Sequence, residues 1–327
     1  MFPEWSYKKL ISITGSSGAG TDYQIRLSIS NALGADIDCS GNSENFPAAE
    51  DDGGDLRFSN SAEDEELSFW VESVVSGVAT VWVKVGDDLG TDRDIYMFYG
   101  NALATNASDG GGTFIFFDDF ETGTINSSKW DVTGTVAETG GAAKIGKTSN
   151  GGGSLGSKDS FGANIRMRGN LYLADTNTSY HSFGLTTPVG GVRNNASLYI
   201  HWENDPVLDY QVDNGGSTWY NTGLSGDADG YNSGGVPFLA EVQRLSTGNS
   251  KLYIDEVLKV TATARPSTEL ARIRLGTYDA YKYTYLYWVF IAKFNDTEPD
   301  FSSASAEEVN VAGSAAQAAR RGAVMMM

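Results

Sequence analysis

Apolar and polar residues alternate with a period of two along most of this chain. Tyr23, Ile25, Leu27 and Ile29 alternate with Gln24, Arg26 and Ser28, which places one set on each face of an extended strand. Val81, Val83 and Val85 repeat the pattern around Trp82 and Lys84, and Leu198, Ile200 and Trp202 repeat it around Tyr199 and His201. Leu208, Tyr210 and Val212 follow it too, as do Ala271, Ile273 and Leu275. The runs are separated by Gly, Asn, Asp and Ser clusters, which supply positive φ and side-chain-to-backbone turns. Asp213-Asn214-Gly215-Gly216 predicts a hairpin between two of them. Gly15–Gly20, flanked by strands and lacking the Lys-Ser/Thr of a phosphate loop, reads as another hairpin turn. Short strands, frequent turns and almost no helical periodicity predict an all-β, antiparallel architecture.

The polar stretch Ser108-Asp109-Gly110-Gly111-Gly112 marks a boundary. It predicts two antiparallel, jelly-roll-like β-sandwich domains: a small one over residues 1–112 and a larger one over 113–301. Residues 302–327 form a short C-terminal assembly tail, Ala-rich over Ala312–Val324 with Arg320 and Arg321, and the expected contact runs through Ala312–Met327. At 327 residues the chain is long enough to bury two cores.

Charge and composition then remove several functions. The chain has 23 Lys and Arg against 42 Asp and Glu, a formal charge of −19, with no basic cluster to reverse the repulsion of a phosphate backbone. Nucleic acid is therefore not an expected partner. One cysteine, Cys39, admits no internal disulfide, and its acidic neighbours disfavour a reactive thiolate. Two separated histidines, His181 and His201, leave no zinc site of the usual kind. No apolar run approaches the length of a membrane span, so no membrane insertion is expected. The N-terminus lacks the basic and apolar pattern of a secretory signal. Asn-x-Ser/Thr triplets at Asn106, Asn126, Asn177, Asn195 and Asn295 fit chance in an Asn- and Ser-rich chain.

Several motifs carry a family resemblance. Trp5-Ser6-Tyr7-Lys8-Lys9 and Tyr23-Gln24-Ile25 are followed in order by Asp55-Leu56-Arg57-Phe58, Leu67–Glu72, Val81–Val85 and Ile95–Asn101. This series resembles a domain-of-unknown-function family of archaeal and bacterial surface proteins, sometimes fused to proton-channel subunits of the MotA/TolQ/ExbB type. Phe117–Glu121 with Lys129-Trp130 resembles the start of the concanavalin A-like (laminin-G-like) sandwich that commonly follows, and Tyr287–Ile291 through Glu298-Pro299 resembles its closing strand. The resemblance implies a surface-exposed, non-catalytic module.

Three chemistries are open to such a chain. Glycoside hydrolysis on this fold uses Glu-x-Asp-x-x-Glu, setting two carboxylates on one face. The nearest segment is Glu203-Asn204-Asp205-Pro206-Val207-Leu208, where Leu208 replaces the second acid and Pro206 interrupts the strand. Glycan binding needs aromatic faces for the C–H side of a sugar. Trp202, Trp219, Tyr220, Tyr231, Tyr278, Tyr281, Tyr283 and Tyr285 are the candidates. On one strand Tyr283, Tyr285 and Tyr287 share a face, and Leu286, Trp288 and Phe290 share the other as core. The tyrosine face either lines a sugar groove or packs against protein. Calcium is the one metal the composition permits, with Asp118, Asp119, Glu121, Asp227 and Asp229 as candidate ligands; ordinary loop acidity is the favoured account of them. No other cofactor is expected.

The expected function is a non-catalytic structural or adhesion protein, displayed on the surface of a bacterial or archaeal virus as fibre, spike or decoration. Its expected partners are itself, as a homo-oligomer, other virion or envelope proteins, and a cell-surface glycan. The alternative is a secreted cell-surface carbohydrate-binding protein or an accessory module of a polysaccharide-active enzyme.

Overall fold

The computed structural model describes residues 1–32, 37–146, 152–174, 181–186, 195–202, 206–213, 217–225, 236–263, 270–277 and 283–310. It is an all-β structure, antiparallel except where the short β-strand Ile37–Asp38 pairs parallel with Tyr23–Ser30, in two compact units, Met1–Ile115 together with the segment from Asn295, and Phe116–Phe294. No helix among the described residues is long and apolar enough to cross a membrane.

The first unit begins with β1 (Tyr7–Thr14), β2 (Tyr23–Ser30), β3 (Ile37–Asp38), β4 (Arg57–Asn60), β5 (Phe69–Val75), β6 (Val78–Val85) and β7 (Arg93–Tyr99). One sheet runs β3-β2-β6-β5, and β1-β7-β4 belong to a second. The period of two puts Ile11, Ile13, Ile25, Leu27, Val81 and Val83 into one core between them. Gly15–Gly20 therefore closes no hairpin. β1 and β2 lie in different sheets, and the segment carries the chain from one to the other. Its turn is pinned by Ser16 N–H donating to Leu89 O at 2.8 Å and Leu89 N–H donating to Gly20 O at 3.0 Å. A Cβ on Gly15 would lie 2.1 Å from the Thr91 carbonyl carbon, so the close approach requires glycine.

Asp55 is fully buried here and collects distant loops. Its carboxylate accepts from Ser43 Oγ (2.5 Å) and from the backbone N–H groups of Glu44 (2.9 Å), Asn45 (3.4 Å), Gly100 (2.8 Å) and Asn101 (3.1 Å). Its own carbonyl accepts the Trp5 indole N–H at 2.5 Å. A buried carboxylate is tolerated when it is fully hydrogen-bonded in this way. On the side of β5 and β6 away from the core, Trp70 and Trp82 pair across the strands, and Phe114 packs edge-on to both.

The second unit contains β8 (Phe116–Asp118), β9 (Trp130–Gly134), β10 (Val136–Glu138), β11 (Ala143–Gly146), β12 (Gly153–Ser157), β13 (Ile165–Ala174), β14 (His181–Thr186) and β15 (Asn195–Trp202). It continues with β16 (Pro206–Asp213), β17 (Ser217–Ser225), β18 (Phe238–Arg244), β19 (Asn249–Ile254), β20 (Val257–Thr263), β21 (Arg272–Thr277) and β22 (Tyr283–Lys293). An eight-stranded sheet runs β10-β11-β22-β13-β18-β19-β20 with β8 also on β22, and a seven-stranded sheet runs β17-β16-β15-β14-β21-β12-β9. Ile145, Met167, Leu171, Val242 and Leu286 of the first sheet share one core with Leu155, Phe183, Leu185, Ile273 and Leu275 of the second. Gly169 admits the Phe183 ring, which would meet a Cβ at 2.9 Å. A polar contact, His181 Nδ1 to Thr284 Oγ1 at 2.7 Å, also joins the sheets. β16 and β17 pair antiparallel from Asp213 opposite Ser217, as the Asn-Gly-Gly signal predicts.

The expected boundaries after residue 112 need correction. The chain returns to the first unit with β23 (Asp300–Ala304) and β24 (Glu308–Val309), which pair with β1. Glu298–Phe301 thus belongs to the first unit and closes nothing in the second, and residues 302–310 are sheet rather than tail. The cause is the edge of β1 that β7 leaves open, an unpaired edge that the returning segment fills while Phe301 and Ala304 pack on the first core. Glu307 accepts from Tyr99 Oη and Asn42 Nδ2, each at 2.9 Å, and Asn310 Nδ2 donates to Phe2 O at 3.0 Å. Residues 311–327, including the assembly tail of the sequence reading, lie outside the described residues.

Two predictions follow from this wiring. A chain ending at Pro299 loses the first unit's unfolding transition in urea or shifts it to much lower denaturant, whereas a chain ending at Asn310 keeps it. Asp55→Ala leaves its donors unpaired and lowers the first unit's stability by at least about 3 kcal/mol, read as a loss of its transition with the second unit's unchanged.

Candidate functional site

β22 organises the candidate site. It pairs with β13 on one edge and with β11 and β8 on the other, and Tyr287 is an extra residue in the β13 pairing, since Trp288 faces Asn170 while Leu286 faces Leu171. Such a bulge exchanges the faces of the strand beyond it. Leu286 therefore points into the core, and so do Val289 and Ile291. Trp288 and Phe290 fall on the opposite face, with their rings stacked at 5.7 Å. The expectation that Leu286, Trp288 and Phe290 form one core face is overturned by that single inserted residue.

Before the bulge, the face away from the core is aromatic. Tyr283, Tyr285 and Tyr172 are half-buried, with ring centroids 6.5 Å apart for Tyr283 and Tyr285 and 5.8 Å apart for Tyr172 and Tyr285. Tyr287 stands beside them. Burial raises its phenol pKa, and Tyr172 and Tyr285 raise it further, so its hydroxyl remains a neutral donor and acceptor. Lys144, opposite Tyr285 in the register, places Nζ 3.9 Å from the Tyr283 ring centre and 5.5 Å from that of Tyr285. Lys144 and Tyr172 were not among the candidates drawn from the sequence. The alternation Leu171-Tyr172-Leu173 holds the signal for Tyr172, but only the strand pairing brings Lys144 to the rings.

Three of the other aromatic candidates, Trp202, Trp219 and Tyr220, belong to strands of the seven-stranded sheet. Tyr220 is partly buried and packs against the core of the second unit. Trp219 falls on the seven-stranded sheet, in a cross-strand row with Gln211, Ser197, Gly184, Arg274 and Gly156. Trp202 pairs with Pro206 at the end of β15. Tyr231, Tyr278 and Tyr281 lie outside the described residues, as do Asp227 and Asp229.

Two of the acidic candidates at the start of the second unit, Asp118 and Asp119, have structural partners. Asp118 is buried and accepts the Trp130 indole N–H at 2.5 Å and the Phe120 N–H at 3.2 Å. Asp119 accepts from Glu121 N–H at 3.4 Å. Among the described residues no three His, Cys, Asp or Glu side chains converge as metal ligands. Cys39 is fully buried, and burial, with Asp55 next, raises its thiol pKa, as its acidic surroundings led us to expect.

Beyond the bulge the same face of the eight-stranded sheet holds Glu241. Arg166 reaches its carboxylate at 3.4 Å, Arg168 at 3.2 Å and Gln243 Nε2 at 2.6 Å, and Arg168 also pairs with Glu256. Burial alone would raise the Glu241 pKa; the two arginines outweigh it and hold the carboxyl below its ordinary range. This carboxylate stays ionised and paired, which suits it to bracing strands rather than to giving up a proton.

Residues 52–133 match the model of a family described as a domain of unknown function, DUF2341. The match takes in Asp55, the Trp70–Trp82 pair, Gly100, Asn101 and the Asp118–Trp130 bond. No curated protein matches the chain. Among solved structures it is similar to a beta-1,3-glucanase from Mycobacterium marinum, at 13% identity and a TM-score of 0.43, over 55% of this chain and 99% of that one. It is similar to the beta-glucanase of Bacillus licheniformis at 17% identity and a TM-score of 0.42, over 54% and 97%. It is also similar to the carbohydrate recognition domain of Emp47p at 13% identity and a TM-score of 0.43, over 54% and 94%.

Because the folded pKa of Glu241 is depressed, its stabilisation is fully present above the ordinary carboxylate range and is lost as pH falls through the lower folded value. Glu241→Gln removes the buried carboxylate shared by Arg166 and Arg168, of which Arg168 keeps Glu256, and about 3 kcal/mol of stability is expected to be lost at pH 7. The gap between wild type and variant narrows on acidification, as measured by urea unfolding across pH.

Proposed function

We propose that this chain is a non-catalytic, displayed protein whose second sandwich binds glycan on the tyrosine surface of its eight-stranded sheet. The observation that carries the reading is the set of four neighbouring tyrosines, Tyr172, Tyr283, Tyr285 and Tyr287, on adjacent strands. Rings fixed by strand pairing lose little freedom on binding, so their faces are available to the C–H side of a pyranose at low entropic cost. Their hydroxyls can exchange hydrogen bonds with those of the sugar. Two features support a binding role over bond cleavage. Glycoside hydrolysis calls for two carboxyl groups across the scissile bond, one of them protonated. Leu208 stands where the motif needs its second acid, and Glu241 is held ionised between arginines. The proposed setting is the outside of a virus particle or a cell envelope, with the chain assembled as a homo-oligomer.

A glycan array followed by titration tests the reading. The wild type is expected to bind a defined set of saccharides and to hydrolyse none. Tyr285→Ala removes the central ring and weakens binding tenfold or more, equivalent to about 1.4 kcal/mol, while Trp219→Ala, on the other sheet, leaves it within a factor of two. Saccharide turnover by the purified chain would overturn the proposal, as would equal affinity of the Tyr285 variant.

A further inference from the structure

We infer that the sugar bound on the tyrosine surface is anionic, and that Lys144 is the residue that recognises its charge. This rests on the glycan-binding reading and goes beyond it by naming the ligand class. In this chain acidic residues outnumber basic ones by 42 to 23, so a cation has many available counter-charges. Lys8, Lys9, Arg166, Arg168, Lys158 and Arg272 each pair with a carboxylate. Lys144 does not: among the described residues no Asp or Glu oxygen lies within ion-pairing distance of its Nζ, and it is seated on two tyrosine rings instead.

That seat has a chemical consequence. A half-buried ammonium against aromatic faces has given up part of its hydration, and the ring quadrupoles replace only some of it. The rings satisfy one side of the Nζ group, and among the described residues its remaining N–H bonds meet no carboxylate on the other. An oxygen acceptor with full negative charge makes the strongest such bond. Tyr285 lies next to Tyr172 as well as to Lys144, so a pyranose stacked on the Tyr285–Tyr172 pair brings a ring substituent toward Nζ. A carboxylate or a sulfate ester on the sugar meets that requirement, and a neutral hydroxyl meets it only weakly. The net charge of −19 adds a second consequence. It repels polyanions from most of the surface, so an acidic chain is admitted only where a local cation offsets the field.

The test compares three probes of matched length, namely a neutral glucan, a polyuronate and a sulfated galactan, by titration calorimetry on the full chain, on Lys144→Gln, on Lys144→Arg and on Tyr285→Ala. The full chain should bind at least one acidic probe about tenfold more tightly than the neutral one. Which acidic probe is preferred separates carboxylate from sulfate. Lys144→Gln should bring acidic binding down to the level at which the same variant binds the neutral probe, with an unchanged urea unfolding transition showing that the variant is folded. Lys144→Arg should retain the acidic preference, and raising salt from 0.05 to about 0.5 M should erase it. Tyr285→Ala should weaken all probes alike. Neutral and acidic probes bound equally by the full chain, or an acidic preference that survives in Lys144→Gln, would overturn this inference and leave the glycan-binding reading standing. No binding of any probe would overturn both.

Discussion

β22 is hydrogen-bonded along both edges, and Tyr287 is one residue more than its pairing with β13 can take. The chain accommodates that residue as a bulge, and the alternation of faces changes phase there. Everything distinctive about the second unit depends on the change. Up to Tyr285 the strand shows tyrosines away from the core. From Trp288 onward the same side carries two stacked aromatic rings beside the Arg166–Glu241–Arg168 cluster. A strand without the extra residue would keep one phase throughout. Either Val289 and Ile291 would leave the core, or the tyrosines would enter it with their hydroxyls unpaired.

The two units solve different problems of burial. The first is built around a charge, the Asp55 carboxylate, whose donors come from positions 43 to 45 and 100 to 101 and whose carbonyl holds Trp5. Those residues need to be where they are because a carboxylate with no water must be answered donor by donor. The second unit buries its main charge on a sheet face, where Glu241 ties strands β13 and β18 through two arginines and thus trades desolvation against pairing. The candidate binding surface adjoins that brace on the same sheet, so the tyrosines stand on strands that are fixed from both sides.

Much of this was legible in advance. Period-two alternation located Ile25, Leu27, Val81, Val83, Ile273 and Leu275 in their cores, because alternation is a local property of an extended backbone. The Asn-Gly-Gly hairpin was legible for the same reason. Tyr283 and Tyr285 were identified as a shared face, and the structure keeps them together. The site's other members were harder to see. Lys144 is nearly 140 positions from Tyr283, and only the pairing of β11 with β22 makes them neighbours. Trp219 and Tyr220 looked like companions of the tyrosines because they are aromatic, yet one lies on the other sheet and one packs on the core. Composition does not say which sheet a residue joins.

The amino-acid order alone determined the class of fold, the strand-forming segments, the acidic character and the absence of a disulfide, since each follows from residues close in sequence or from simple counts. Tertiary structure decided the rest. It sent residues 300–310 back to β1 rather than leaving them as a tail, made Gly15–Gly20 a crossing between sheets rather than a hairpin, and moved Trp288 and Phe290 to the far face of β22. Each of these is a choice of partner for a strand edge. An edge offers the same backbone donors and acceptors whatever its side chains are, so the choice is made by the whole set of strands competing to be paired, and no local stretch of residues encodes it.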